Sequence, residues 1–199
     1  MLFDPYLWMH FSGLAMLPLT LALVAIALPL GIPLPFSVGE LVLIVLVGGV
    51  PVWVLQILRP WNPFSFWLFQ IPPERLDERQ RQILRLVQGT RQPLFNVLGA
   101  VVMVILLWQI AHYSPLATGA AGGFWQWRIV GLSLAIAGFF LSNLFLQVPL
   151  TLLPTLLLSE KTVSEIDPHP TVSIRRDFAC WGLPMGQLFP SVRQDKTVT

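Results

Sequence analysis

Four long apolar runs constrain this chain more than any other feature of its sequence. They cover about residues 8–32, 38–58, 93–113 and 127–149, and each could cross the roughly 30 Å hydrocarbon core of a bilayer as a helix. Helices are favoured over strands because the runs are continuous rather than alternating. The chain is 55% hydrophobic and 11% charged, whereas soluble domains carry about 25% charged residues. The predicted fold is an all-α polytopic membrane protein with four transmembrane helices.

The predicted organisation is a membrane domain over residues 1–158 and a polar tail over 159–199, with a long loop over 59–92. The first apolar run has no preceding basic region and no small-residue cleavage site, so we expect it to be retained rather than removed as a signal peptide. The single cysteine, Cys180, rules out an internal disulfide and is expected to be an inert thiol.

Prolines interrupt the first and fourth runs. Pro18 and Pro29 predict a kink or an early end in the first run, and a short re-entrant hairpin is the alternative there. The fourth apolar stretch continues to Leu158, which is longer than a span requires. Pro149 and Pro154 therefore predict a division into a span and a surface-lying end.

The second run has signals at its start and its middle. Ser37 and Glu40 have the spacing of a capping box, which predicts that the glutamate caps the helix. Gly48, Gly49 and Pro51 predict either a break in the helix or a close contact with another helix.

The basic residues predict the orientation. All of them except Arg128 lie in the loop or the tail, namely Arg59, Arg75, Arg79, Arg81, Arg85, Arg91, Lys161, Arg175, Arg176, Arg193 and Lys196. An even number of spans puts loop and tail on one side, and the positive-inside rule makes that side cytoplasmic. Both termini are then expected in the cytoplasm.

The second part of the loop predicts a short amphipathic helix between Pro72–Pro73 and Gly89. It is interpreted either as an interface helix on lipid headgroups or as a docking surface for a partner complex.

The tail sequence IRRDFACWGLPMGQLFP either folds back on the membrane face or binds a partner. Acidic residues interrupt every basic run, which argues against nucleic-acid binding. The candidate partner-binding residues are Arg75, Arg79, Arg81, Arg85, Arg175, Arg176 and Trp181.

Few polar residues are expected inside the membrane. Asn143 and Gln147 share one face of the fourth helix and either bond to neighbouring helices or contact a ligand. His10 and His112 lie near opposite membrane faces, so they cannot form one metal site; each is interpreted as a hydrogen-bonding group or as an axial pigment ligand. No Asp, Lys or Arg is expected to be buried in the membrane, which weakens the hypothesis of an ion-coupled transporter.

The sequence lacks a Walker loop and the H-E-x-x-H and G-x-S-x-G motifs. We therefore expect a protein that is not an enzyme and has no resident metal.

The segments DPYLWMHFSGLAMLPL, ERLDERQRQIL and SPLATGAAGGFWQWRIVGLSLAIAGFFLSNLFLQVPL resemble the cyanobacterial low-complexity tail membrane protein family over residues 3–158. The resemblance implies a thylakoid or plasma membrane and supplies no functional residues. The tail of this chain is shorter and less repetitive than the family name suggests.

Two functions are compatible with these observations. The favoured one is a non-catalytic accessory or assembly factor of a photosynthetic membrane complex, docking through loop and tail and in contact with membrane lipids. The alternative is a lipid or small-molecule carrier that uses Asn143 and Gln147 within kinked helices. Bound chlorophyll or carotenoid is compatible with both functions, and an absorption spectrum distinguishes the cases.

Overall fold

A computed structural model describes residues 5–31, 37–66, 69–89, 92–114, 125–156, 158, 160–180 and 182–184. The described chain is mostly helical. Within this described part, four helices are long and apolar enough to cross a membrane: Pro5–Ala27, Val38–Leu58, Pro93–Tyr113 and Trp127–Leu156. The four spans predicted from the sequence are therefore present as helices.

The first span consists of α1 (Pro5–Ser12), a 3₁₀ turn (Gly13–Met16) and α2 (Leu17–Ala27). Pro18 lies in the first turn of α2, where its missing N–H costs least. The expected interruption therefore takes the form of a tightened turn within a run of helix long enough to span, not a re-entrant hairpin. The run ends at Ala27, before Pro29, rather than near residue 32.

The second span consists of α3 (Ser37–Ile44), a π-helical turn (Val45–Gly49) and α4 (Val50–Leu58). The π turn coincides with the predicted break and ends just before Pro51. A Cβ atom on Gly48 would lie 2.9 Å from the carbonyl oxygen of Ile136. The glycine therefore permits close contact between the second and fourth spans.

The loop forms β1 (Ser65–Phe66), β2 (Phe69–Gln70), a 3₁₀ turn (Pro73–Arg75) and α5 (Glu78–Val87). The helix begins at Glu78, later than the Pro72–Pro73 start that the sequence suggested. The backbone N–H of Asp77 donates to Gln80 Oε1 over 3.1 Å in a capping box that starts the helix. Ile83, Leu84 and Val87 are buried.

The last two spans are uninterrupted helices, α6 (Gln92–Tyr113) and α7 (Trp125–Leu156). The prolines do not divide the fourth run into two helices, since Pro149 and Pro154 both lie inside one continuous helix. With 32 residues, α7 is about 48 Å long and exceeds the hydrocarbon thickness. Its carboxyl end therefore extends beyond the span into the loop region.

The tail forms α8 (Glu160–Ser164), α9 (Thr171–Asp177) and β3 (Leu183–Pro184). Strand β3 runs parallel to β2, which is itself antiparallel to β1. The N–H of Ala179 donates to the carbonyl of Pro60 over 3.0 Å. The described tail is thus folded onto the loop, and we refer to the described residues within 59–89 and 158–184 as the loop–tail unit.

Helix α7 joins two apolar cores. One lies between the spans and contains Val24, Ile44, Met103, Leu107 and Phe139. The other lies beneath the loop–tail unit and contains Tyr6, Leu7, Phe64, Ile83, Leu152, Ile174 and Phe178. Because α7 contributes Phe139 to the first and Leu152 to the second, it connects the membrane helices to the folded loop and tail.

Small residues let α7 approach the first span closely. A Cβ atom on Gly131 would lie 2.6 Å from the carbonyl oxygen of Ala27, and one on Gly138 would lie 3.1 Å from that of Thr20. The hydroxyl of Ser142 donates to Thr20 Oγ1 over 2.8 Å. This packing of small residues with a short polar bond is typical of helix pairs in membranes.

Candidate functional site: the loop–tail unit and the buried polar groups

Hydrogen bonds close the seam between loop and tail. The guanidinium of Arg59 donates to the carbonyl of Arg175 over 2.6 Å. The backbone N–H of His169 donates to the backbone carbonyl of Arg81 over 3.1 Å. The side-chain amide of Asn62 lies 3.4 Å from Cys180 Sγ. These contacts attach the tail at several points along the loop.

Apolar burial reinforces the seam. Ile174 and Phe178 of the tail are fully buried and share a cluster with Phe64 of the loop and Ile83 of α5. Burying a side chain of this size contributes about 1.5–3 kcal/mol. The described part of the tail therefore packs on the loop, and its binding to a partner stays a prediction.

The predicted partner-binding arginines differ in exposure. Arg79 and Arg81 are half-buried, while Trp181 lies outside the described residues. The exposed ones are Arg75, Arg85, Arg175 and Arg176, and Arg175 is 3.5 Å from Glu74. The exposed members therefore come from both loop and tail and share one folded unit.

A shallow pocket of about 350 Å³ lies where α5 meets the tail, and its lining includes Arg85, His169, Ser173, Arg176 and Asp177. His169 Nε2 is 3.2 Å from an oxygen of Asp177 and 3.0 Å from the hydroxyl of Ser173. Burial lowers the pKa of His169, and the nearby arginines lower it further against the opposing effect of Asp177. A hydrogen bond from Arg176 lowers the pKa of Asp177.

Asn143 and Gln147 are fully buried between helices. Trp53 Nε1 donates to Asn143 Oδ1 over 2.7 Å, and Gln147 Nε2 donates to the carbonyl of Asn96 over 3.2 Å. Asn96 in turn accepts a bond from Thr151 over 3.0 Å. The pair that the sequence placed on one face thus connects α7 to the second and third spans.

The two membrane histidines have different surroundings. His10 is buried, and its Nε2 lies 2.9 Å from the carbonyl oxygen of Pro63, so this nitrogen donates to the loop. His112 is exposed at the far end of α6, edge-on to Tyr113. Among the described residues no group of three or more His, Cys, Asp or Glu side chains could hold a metal ion. Pigment ligation by either histidine stays a prediction.

A buried ion pair that was not predicted from the sequence joins three spans. Arg128, near the start of α7, is 7% exposed, and Glu40 of α3 is 5% exposed. Arg128 Nε donates to Glu40 Oε1 over 2.6 Å, and Nη2 donates to the second carboxylate oxygen. Nη1 donates to the carbonyls of Leu28 over 2.5 Å and Leu30 over 3.3 Å.

These bonds engage most of the N–H groups of the Arg128 guanidinium, and those to Glu40 form a bidentate contact. Gly31, just after the first span, allows the chain to approach Arg128 this closely. Its φ of 75° is in the left-handed region, and a Cβ atom there would lie 2.4 Å from the backbone nitrogen of Arg128.

The sequence contained a signal for this pair. Arg128 is the one basic residue outside the loop and tail, and Glu40 is the one acidic residue in the second apolar run. Two opposite charges at the same membrane boundary favour pairing, because an isolated buried charge is costly. Interpreting Glu40 as a helix cap obscured this signal. The pairing of His169 with Asp177 was also missed, since nothing local marks it.

Four apolar helices, with polar groups bonded across them and a folded loop–tail unit at one end, define a helical integral membrane protein. The chain belongs to the low-complexity tail membrane protein-like family, whose model matches residues 3–190. The resemblance noted in the sequence is thereby confirmed, and the match continues beyond residue 158 into the tail. No curated protein and no solved structure matches the chain.

Proposed function

We propose that this chain is a non-catalytic accessory or assembly factor of a photosynthetic membrane complex and docks through its loop–tail unit. The observation that supports this most is that loop and tail form one hydrogen-bonded unit, which shares an apolar core with Tyr6 and Leu7 of the first span and Leu152 of α7. A preformed surface binds a partner without the entropy cost of ordering two separate segments.

The exposed side chains of the unit suit a charged partner. Arg85 and Arg176 line the same pocket, while Arg75 and Arg175 are exposed nearby in the unit. Such charges add specificity and association rate more than affinity. We propose that they contact an acidic surface of the partner complex.

The buried polar residues favour this function over a carrier. Asn143 and Gln147 are engaged with Trp53 and Asn96 of neighbouring spans. Such interhelical bonds stabilise a bundle, and a carrier would need those polar groups to face its cargo.

The proposed location is a cyanobacterial thylakoid or plasma membrane, as the family resemblance implies. We propose that the loop–tail unit is cytoplasmic, with α5 as a cytoplasmic helix between the second and third spans. The basic residues support this orientation because nearly all of them lie in the loop and tail.

Purification tests the proposal. The tagged chain is extracted from cyanobacterial membranes in a mild detergent, and co-purifying proteins are identified by mass spectrometry. We expect a photosynthetic complex to co-purify, and an Arg85→Glu, Arg176→Glu double variant to lose most of it. Lys161→Glu, a charge reversal on the exposed face of α8, is the matched control and should retain the complex. A chain that migrates only as a free small protein would refute the proposal.

A further inference from the structure

The seam between α5 and α9 holds a histidine in an environment that disfavours a positive charge. The ring of His169 is 2% exposed and packs edge-on to Phe178 with ring centroids 5.6 Å apart. Its Nδ1 is buried and has no hydrogen-bond partner among the described residues. A proton on both nitrogens would therefore leave one N–H donor buried without an acceptor.

The charges around His169 add to this effect. Helix α5 contributes the charge of Arg85, and the backbone carbonyl of Arg81 accepts a hydrogen bond from the backbone N–H of His169. Helix α9 contributes Arg176 and the carboxylate of Asp177. Arg176 Nε already donates to Asp177 over 3.0 Å. The carboxylate of Asp177 is thus already bonded to Arg176. A positive charge on His169, added to those of Arg85 and Arg176, would be poorly compensated.

We propose that His169 is an acid-sensitive latch that holds the tail on the loop while its ring is neutral and releases the tail when its ring is protonated. Release separates Ile174 and Phe178 from the apolar cluster beneath the loop. The latch belongs to this chain alone and does not depend on a partner complex.

The sign of the effect follows from the pKa of His169, which is below its ordinary value in the docked state. The undocked histidine binds a proton more readily, with an ordinary pKa of about 6.5. The attachment of the tail to the loop is therefore fully stable above that pH and loses stability as the pH falls below it.

Cys180 provides a reporter for the experiment, because it is the chain's single cysteine and it lies at the seam, 3.4 Å from Asn62 Nδ2. Burial raises the pKa of its thiol. The purified full chain in detergent is labelled with dithiodipyridine, which reacts with thiols in mild acid. Each rate is divided by the rate for the unfolded chain at the same pH, which removes the intrinsic pH dependence of the thiol.

We expect the normalised rate to rise between about pH 7.5 and about pH 5.5, by up to about tenfold, the limit that one histidine of ordinary pKa sets. His169→Gln should abolish the rise. His112→Gln, which removes the exposed histidine at the far end of α6, should leave it unchanged. A flat profile in the unsubstituted chain, or an unchanged rise in His169→Gln, overturns the proposal.

Two further variants decide the case if His169→Gln is already undocked at neutral pH. Arg85→Gln removes a cation from the seam and should reduce the acid-induced rise. Asp177→Asn removes the compensating carboxylate and should increase it. Equal effects of the two variants, or effects of the opposite sign, contradict the latch, because a purely structural role does not distinguish the two charges.

Discussion

Among single residues, the buried pair of Glu40 and Arg128 gives the sharpest prediction. Glu40→Leu leaves the guanidinium of Arg128 buried at 7% exposure without its carboxylate. Loss of one partner of a buried ion pair typically costs about 3–5 kcal/mol. We expect unfolding in mixed detergent and dodecyl sulfate, followed by circular dichroism, to show a loss of this size.

The double variant Glu40→Leu, Arg128→Leu is the control for that prediction. It removes both buried charges, so we expect a smaller loss than Glu40→Leu alone produces. If the double variant is less stable than either single variant, the ion pair makes a net favourable contribution to the free energy of unfolding, and its loss is not explained by one unpaired buried charge.

Gln147 tests the interhelical interpretation of the buried polar residues. Gln147→Leu removes the bond to the carbonyl of Asn96, and we expect a loss of about 0.5–2 kcal/mol in the same assay. Ser133→Leu on the exposed face of α7 is the control and should change little. An unaltered stability for Gln147→Leu would instead favour a ligand-contacting role.

The sequence predicted part of this residue-level picture. Asn143 and Gln147 could be placed on one helix face because their spacing of four is local. The pairing of Glu40 with Arg128 joins residues 88 positions apart. Such a contact depends on how the helices assemble, which no local pattern encodes.

At the scale of elements, the contact between α7 and the first span depends on small residues. Gly138→Leu places a side chain where even a Cβ atom would lie 3.0 Å from Val24 Cγ2 and 3.1 Å from the carbonyl of Thr20. Overpacking of this kind typically costs about 1–3 kcal/mol. We expect a lower thermal midpoint in detergent. Ala137→Leu, at the preceding position and on the exposed face of α7, should leave the midpoint unchanged.

The helices themselves were predictable, but their interruptions were only partly so. Apolar length identifies a span because it reflects the thickness of the bilayer. The effect of a proline depends on its surroundings: Pro18 sits in the first turn of a helix, whereas Pro149 lies inside α7 without ending it. Neighbouring groups within a membrane helix can compensate for a missing N–H, and these neighbours come from tertiary structure.

In the whole molecule, the sequence left open whether the tail folds back. Order in the tail requires an apolar partner for Ile174 and Phe178, and that partner is the surface around Phe64 and Ile83. These segments are about a hundred positions apart in the chain. The composition of the tail alone therefore could not decide between a disordered segment and a docked one.

The orientation of the whole molecule yields the last prediction. In a Cys180→Ser background, Arg85→Cys, Val172→Cys and Tyr113→Cys place single thiols at exposed positions on the loop, the tail and the far end of α6. Sealed vesicles of known sidedness are treated with a membrane-impermeant maleimide. The positive-inside rule predicts that positions 85 and 172 react only from the cytoplasmic face and position 113 only from the opposite one.

The three thiols separate orientation from fold. The hydrogen-bonded seam requires positions 85 and 172 to react from one face whichever way the chain inserts. If both react from the non-cytoplasmic face, the fold stands but the proposed orientation is wrong, and docking on a cytoplasmic partner surface is wrong with it. If the two react from different faces, the loop–tail unit does not exist in the membrane. The latch and the docking surface would then both be refuted, because each depends on the tail and the loop meeting on one side.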